Sequence, residues 1–130
     1  MTPSRILLIA CYELGHPPLS LAWPLACLRQ AGFAPQTLDL AVEPLDETLA
    51  SAADLVAIAV PMHTALRLGV EAAQRVRAAD PRAHLCFYGL YAGLNAAHLF
   101  GAGLADSVIA GESEAPLVEL ARALSAGQDP

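Results

Sequence analysis

The feature that most constrains the fold is an unbroken apolar run from Leu55 to Val60, followed at once by Pro61. A strand that is apolar at every position needs cover on both faces, which a parallel sheet between two helix layers provides. Proline cannot donate to a sheet, so Pro61 is predicted to end the strand. Open α/β sheets bind ligands at this carboxyl edge. Residues 61–64 are therefore the first candidate for function.

The rest of the chain alternates strand patterns with helix patterns. Strands are predicted at 5–11, 35–40, 55–60, 84–88 and 106–110. Helices are predicted from about 20 to Gly32, then at 46–53, 65–79, 92–100 and 114–124. This alternation predicts an α/β, Rossmann-like fold: a five-stranded parallel sheet in the flavodoxin-like order 2-1-3-4-5, with helices on both faces. The 130 residues are predicted to form a single domain, 1–130.

Charge and cysteine content exclude several classes of partner. The formal net charge is −6 and the seven basic residues are scattered, which argues against nucleic acid or an anionic membrane as partner. No apolar run approaches the roughly 20 residues that cross a bilayer, and residues 1–5 lack a signal-peptide core. Cys11, Cys27 and Cys86 are widely spaced, without a Cys-x-x-Cys pair. Free thiols, no metal site and a cytoplasmic location are predicted.

In the predicted topology, the loops after strands 1, 3, 4 and 5 share the carboxyl edge of the sheet, and we take their unusual residues as candidate ligand contacts. These are Tyr12, Glu13, Leu14 and His16; Pro61, Met62, His63 and Thr64; Tyr88, Gly89, Leu90 and Tyr91; and Gly111, Glu112 and Glu114. No catalytic residue is predicted among them.

Several of these residues have two interpretations. His63 is a candidate ligand contact, or it caps backbone groups at a helix start. His16, three residues after Glu13, is a candidate metal ligand or general base, or a solvent-facing loop residue. Cys86 lies mid-strand and is predicted to be a core residue.

The loops around Gly89 and Gly111 indicate a ligand site less specifically. Gly89 and Gly93 permit close backbone approach to a ligand, and the neighbouring tyrosines offer flat apolar faces. The phosphate-binding motifs Gly-x-Gly-x-x-Gly and Gly-x-x-x-x-Gly-Lys-Ser/Thr are absent. Acidic residues such as Glu112 and Glu114 at a helix start are also favoured by the helix dipole alone.

Three segments together resemble a known family. Residues 106–114 read Asp-Ser-Val-Ile-Ala-Gly-Glu-Ser-Glu, and their Gly-Glu-x-Glu is the most specific match. Residues 59–64, Ala-Val-Pro-Met-His-Thr, and 85–92, Leu-Cys-Phe-Tyr-Gly-Leu-Tyr-Ala, add to it. The chain resembles the amino-terminal cobalamin-binding domain of cobalamin-dependent radical SAM enzymes, and is similar to the subgroup with a CUAEP or CCAEP tail.

The resemblance implies a module that holds the corrin ring of cobalamin at the carboxyl edge and buries the nucleotide tail between strands and helices. Other cobalamin domains carry Asp-x-His-x-x-Gly after strand one, with the histidine on cobalt. Here residues 12–19 read Tyr-Glu-Leu-Gly-His-Pro-Pro-Leu. A base-off corrinoid without cobalt coordination by His16 is therefore expected.

The resemblance also implies a catalytic partner. The Cys-x-x-x-Cys-x-x-Cys motif of radical SAM enzymes is absent. S-adenosylmethionine and a [4Fe-4S] cluster are therefore expected only in a missing radical SAM domain or a separate catalytic protein. The chain alone is not expected to catalyse methyl transfer.

Two other classes stay open. One is a cofactor-free regulatory or protein-interaction domain of the same topology. The other is a small hydrolase or isomerase that uses Glu13, His16 or His63 in acid–base roles. A phosphoryl-accepting receiver domain needs carboxylates after strands one and three and a lysine near strand five. The chain has Ala-Val-Pro at 59–61 and no lysine.

Overall fold

The computed structural model describes residues 4–12 and 19–127. Its sheet contains five parallel strands in the order β2-β1-β3-β4-β5. The strands are β1 (Ile6–Ala10), β2 (Gln36–Asp39), β3 (Leu55–Ala59), β4 (His84–Tyr88) and β5 (Ser107–Ile109). The predicted fold class and strand order are confirmed, with each strand one or two residues shorter than predicted except β4.

Six helices surround the sheet in the described chain. They are α1 (Leu19–Gln30), α2 (Glu47–Ala52), α3 (His63–Ala79), α4 (Leu90–Leu94), α5 (Ala96–Gly101) and α6 (Glu114–Ser125). One core cluster joins alternate strand residues to α1 and α6, and the other joins the intervening strand residues to α2, α3, α4 and α5. None of the described helices is long and apolar enough to cross a bilayer.

The two central strands explain the apolar runs in the sequence. Every residue of β1 and of β3 is buried, and the two strands pair in register from Ile6↔Leu55 to Ala10↔Ala59. Side chains of a strand alternate between its faces, so each strand needs apolar residues at every position when both faces are covered. β2, with polar Gln36 and Thr37, lies at one edge of the sheet as predicted.

Local hydrogen bonds explain two predicted helix ends. Asp46 accepts from the backbone N–H groups of Thr48 and Leu49 and so caps α2. After α1, Gly32 has φ 98°, and its N–H donates to the Arg29 carbonyl while that of Phe33 donates to the Leu28 carbonyl. This pair of bonds is a Schellman motif, which uses glycine because its left-handed backbone is unfavourable for other residues.

The prediction of one helix over residues 92–100 is wrong. Two short helices, α4 and α5, meet at Asn95, whose φ of −118° and ψ of 18° are not helical. The Asn95 side-chain amide donates to the carbonyl of Tyr91 at 2.8 Å. A short polar side chain that bonds a nearby carbonyl competes with the helical backbone, and it separates the two helices here.

Two aspartates order the amino edge of the sheet. Asp54 accepts from the N–H of Arg5 at 2.8 Å, and Asp106 accepts from that of Leu85 at 2.9 Å. Arg77 also donates to Asp106 at 3.0 Å. Partial burial of the Asp106 carboxyl opposes its ionisation, but the Leu85 hydrogen bond, the Arg77 hydrogen bond and nearby positive charges lower its pKa.

We expect Asp106→Asn to destabilise the protein at pH 7 but not at low pH. Because the folded state lowers the pKa of Asp106, its stabilisation is present above the unfolded pKa of about 4 and is lost as pH falls through the folded pKa. Urea unfolding at pH 7 and pH 3 measures this difference. The effect should shrink in an Arg77→Gln background, and an equal loss at both pH values would contradict the charge-based explanation.

Candidate ligand site at the carboxyl edge of the sheet

The candidate site lies where the strand order changes direction. From β1 the chain moves outward to β2 and then returns across β1 to β3, so the loops after β1 and β3 diverge at the carboxyl edge. Ligands of open α/β folds bind in the crevice at such a switch point. The described residues there are Tyr12 after β1 and Pro61 after β3, both half-buried.

Gly89 brings the loops after β3 and β4 into direct contact. Its φ of 111° and ψ of 174° form a backbone conformation that is essentially restricted to glycine. A Cβ at this position would lie 2.8 Å from the Val60 carbonyl oxygen. That same oxygen accepts from the N–H of Tyr91 at 3.1 Å, and the N–H of Val60 donates to the Tyr88 carbonyl at 2.7 Å. The two loops therefore form one packed unit.

His63 and Tyr91 join the same two loops through their side chains. Their ring centroids are 6.1 Å apart and their planes are nearly perpendicular, which is an edge-to-face arrangement. His63 and Thr64 form the first turn of α3, two residues earlier than the predicted helix start, and both are exposed. Half-buried Met62 occupies the N-cap position. Of the loop predicted at 61–64, only Pro61 and Met62 lie outside regular structure, and His63 and Thr64 belong to α3.

Tyr88 differs from the other candidate residues because it is only 2% exposed. Its ring lies in the core cluster between the sheet and helices α1 and α6. Its phenol hydroxyl donates to the Ser20 carbonyl oxygen at 2.6 Å. Tyr88 therefore reaches the first turn of α1 from the end of β4.

The loop after β5 joins the site through β4. The N–H of Gly89 donates to the Ile109 carbonyl at 3.3 Å. A Cβ at Gly93 would lie 2.6 Å from the Cβ of Ala110, so α4 packs closely on this loop. Gly111 and Glu112 are exposed, whereas Ser113 is buried.

The cysteines are structural residues. Cys86 is fully buried, as predicted, and burial raises its pKa to about 11. Cys11 is also buried, and burial together with the negative charges of Asp39 and Glu71 raises its pKa to about 12. Both remain protonated at neutral pH, and a thiol is a poor nucleophile and a poor metal ligand.

The structure brings together three of the four predicted loops: 61–64, 88–91 and the loop after β5. Tyr12 lies at the end of β1, while Glu13, Leu14 and His16 lie outside the described residues. Sequence reasoning missed Ser20, whose carbonyl accepts from the Tyr88 hydroxyl, and Pro24, which lies inside α1. The proline within a helical pattern was the available signal.

Exposed apolar side chains flank this edge. They lie at the starts of two helices that follow β1 and β4: Leu19 (65% exposed) and Trp23 (63%) on α1, and Leu90 (63%) and Leu94 (69%) on α4. Each pair has the i, i+4 spacing that places residues on the same helix face. We call these four residues the apolar rim.

Two surface cavities lie away from these loops. One of about 350 Å³ lies at the amino edge, beside Arg5, Gln36 and Leu49. Another of about 290 Å³ lies between β5 and α6, beside Ile109 and Leu120. Within residues 4–12 and 19–127, no group of three His, Cys, Asp or Glu residues is placed to hold a metal ion. The described site thus offers apolar and aromatic side chains and backbone polar groups.

The fold and the position of the site define the class of flavodoxin-like, doubly wound domains that bind ligands at the carboxyl edge. Within this class, residues 5–121 match the model of the B12 binding domain. The chain belongs to the B12-binding domain family. No curated protein sequence matches it.

Similar solved structures include the radical S-adenosylmethionine methyltransferase TsrM from Kitasatospora setae, with a TM-score of 0.75 and 23% identity. The alignment covers 97% of this chain and 27% of the methyltransferase, so the chain spans about a quarter of that protein. At this identity the likeness shows the fold alone.

Two other structures share the fold. A LuxR-family two-component response regulator from Aurantimonas sp. SI85-9A1 has a TM-score of 0.61 at 21% identity, over 98% of this chain and 88% of its own. A protein described as an adenylate cyclase, from Rhodopirellula baltica, has a TM-score of 0.54 at 13% identity, over 97% and 95%. The described residues at the ends of β1 and β3, including Cys11, Val60 and Pro61, contain no receiver-type carboxylate.

The chemistry of cobalamin fits the described part of the site. A corrin is a broad, largely apolar ring bordered by amide side chains. Met62, Leu90 and Tyr91 supply apolar or aromatic surface at this edge. The exposed Thr64 hydroxyl can pair with an amide. These residues are able to hold a corrinoid.

Proposed function

We propose that this chain binds cobalamin at the carboxyl edge of its sheet, in a base-off form without a protein histidine on cobalt. The match of residues 5–121 to the B12 binding domain is the observation that carries the proposal. The base-off form is supported by residues 12–17, which lack the Asp-x-His-x-x-Gly spacing. Bound cobalamin would supply the cobalt centre for methyl transfer or radical chemistry.

In this proposal the loop residues hold the corrin ring and exclude water from one of its faces. Contacts come from residues whose side chains or backbone reach the carboxyl edge. These are Tyr12, Glu13, Leu14, His16, Pro61, Met62, His63, Thr64, Gly89, Leu90, Tyr91, Gly111, Glu112 and Glu114. The His63–Tyr91 contact orients two of them before the cofactor arrives, which lowers the ordering cost of binding.

The proposed module works with a radical SAM domain or a separate catalytic protein. That partner contains S-adenosylmethionine and the [4Fe-4S] cluster. We propose that the chain is related to the radical SAM subgroup with a CUAEP or CCAEP tail. The apolar rim supports the assignment of a partner, because each of its two pairs exposes apolar side chains beside the carboxyl edge, and exposed apolar patches mark docking sites. In this scheme the 130 residues form one corrinoid-holding domain, in the cytoplasm, and the reaction occurs at the partner.

The direct test is a titration of the purified chain with hydroxocobalamin, followed by calorimetry and the visible spectrum. We expect saturable binding of one corrinoid per chain and, on reduction to Co(II), no hyperfine splitting from a protein imidazole nitrogen. His16→Ala should leave this spectrum unchanged. Absence of saturable binding at sub-millimolar protein would instead favour the cofactor-free interaction domain.

A further inference from the structure

Pro24 creates a gap in the hydrogen bonding of α1. It is the sixth residue of the helix and is buried. Because proline has no N–H, it cannot donate to the carbonyl of Ser20, four residues earlier, as an ordinary helix residue does. The hydroxyl of Tyr88, 68 positions away in sequence, donates to that carbonyl at 2.6 Å. A side chain from β4 thus replaces a missing backbone donor in α1.

The packing of the Tyr88 ring fixes where its hydroxyl lies. Its ring packs in the same cluster as Leu21, Leu28 and Leu117, so the helices and the sheet hold the ring in place. A buried phenol needs a hydrogen-bond partner, because an unmade buried bond costs more than a made one contributes. The Ser20 carbonyl accepts this bond at 2.6 Å.

This hydrogen bond joins the start of α1 to the packed loops of the proposed cofactor site. Tyr88 immediately precedes Gly89, whose backbone packs on the Val60 carbonyl of the loop after β3. Ser20 is the second residue of α1, the helix that follows β1 and begins near the carboxyl edge of the sheet. One hydroxyl therefore ties the start of α1 to the packed unit of the other loops.

We infer that Tyr88 is a positioning residue: its hydroxyl holds the first turn of α1 beside the packed loops, in the arrangement that binds the corrinoid. The hydroxyl acts through Ser20 and does not touch the cofactor. This inference rests on the proposed cobalamin function, and it assigns to Tyr88 a role different from that of the exposed loop residues.

Tyr88→Phe tests the role of the hydroxyl, since it keeps the ring and removes the donor. We expect faster amide hydrogen exchange at the start of α1, at Trp23 and Leu25, whose N–H groups are placed to bond the carbonyls of Leu19 and Leu21. We also expect affinity for hydroxocobalamin to be weaker by about threefold to tenfold, the equivalent of one net hydrogen bond. Calorimetry and hydrogen exchange of the full chain measure both effects.

Pro24→Ala provides the rescue experiment. An alanine at position 24 has the N–H that proline lacks and can donate to the Ser20 carbonyl as in an unbroken helix. The double variant Tyr88→Phe/Pro24→Ala should therefore regain slow exchange in the first turn and most of the wild-type affinity. A direct contact between the phenol and the corrinoid predicts no such rescue.

Ser125→Ala is the matched control. It also removes one hydroxyl, which bonds Ser4 and the Ala121 carbonyl near the opposite edge of the sheet. It should lower stability without changing corrinoid affinity. If the wild type binds no cobalamin, the proposed function fails. Unchanged hydrogen exchange in Tyr88→Phe would show that the Tyr88 hydroxyl does not hold the first turn of α1. If the wild type binds, equal affinity of Tyr88→Phe or a failed rescue overturns the inference.

Discussion

Gly89→Ala is expected to lower the free energy of unfolding by about 3 kcal/mol and to abolish measurable cobalamin binding. The backbone of Gly89, at φ 111° and ψ 174°, lies in a region that residues with a Cβ essentially do not occupy. The new Cβ would also lie 2.8 Å from the Val60 carbonyl oxygen, which is backbone and cannot rotate away. Urea unfolding of the variant and a titration with hydroxocobalamin measure the two losses.

Gly103→Ala is the control variant, because it measures the cost of a strained backbone without any loss of loop packing. Gly103 has φ 70°, and a Cβ there would meet no described atom within 4 Å. A left-handed alanine in open space costs about 1 kcal/mol, and this site is remote from the carboxyl loops that we propose for the corrinoid. Gly103→Ala should therefore keep its affinity. An equal loss of stability in both variants would show that the contact of Gly89 with Val60 contributes nothing.

The architecture could be predicted because a strand that is buried on both faces is apolar at every position, and this pattern is visible in the sequence. The runs at β1 and β3 are apolar at every residue, and only a covered parallel sheet satisfies such strands. The short connections between alternating elements then restrict the strand order to a few topologies. The edge position of β2 followed from the alternation of apolar Leu38 and Leu40 with polar Thr37 and Asp39.

Helix boundaries were less predictable because local side chains decide them. The pattern over residues 92–100 is compatible with one helix, but the bond from Asn95 to the Tyr91 carbonyl interrupts it. The early start of α3 at His63 reflects the path of the chain after Pro61, which depends on how the loop packs against β4. Neither effect is visible in hydrophobic periodicity.

The grouping of the candidate loops at one edge was predictable, whereas the contacts between these loops were not. Parallel strands bring their carboxyl ends to one edge, so the loops could be grouped from topology alone. The bond from Tyr88 to Ser20 and the fit of Gly89 on Val60 join residues that are far apart in sequence. Such contacts depend on the exact distance between strand and helix, which the sequence pattern does not report.

Met62→Arg is expected to weaken cobalamin binding at least about tenfold while the fold is retained. Met62 is half-buried at the N-cap of α3, between Pro61 and the exposed His63, and its backbone is extended. An arginine there places a positive charge at the positive end of the helix dipole and beside a corrinoid whose cobalt centre is itself cationic. Calorimetric titration measures the affinity, and circular dichroism checks the fold.

Leu68→Arg is the matched control, because it introduces the same charge on the same helix at an exposed apolar position further from the strand end. Its affinity should equal that of the wild type. Met62→Leu, which keeps volume and apolar character, should also bind normally, so a loss confined to Met62→Arg would locate the conflict at the start of α3. Equal affinity in Met62→Arg and the wild type would instead remove the loop after β3 from the site, and with it the proposed part of His63 and Thr64 in holding the ring.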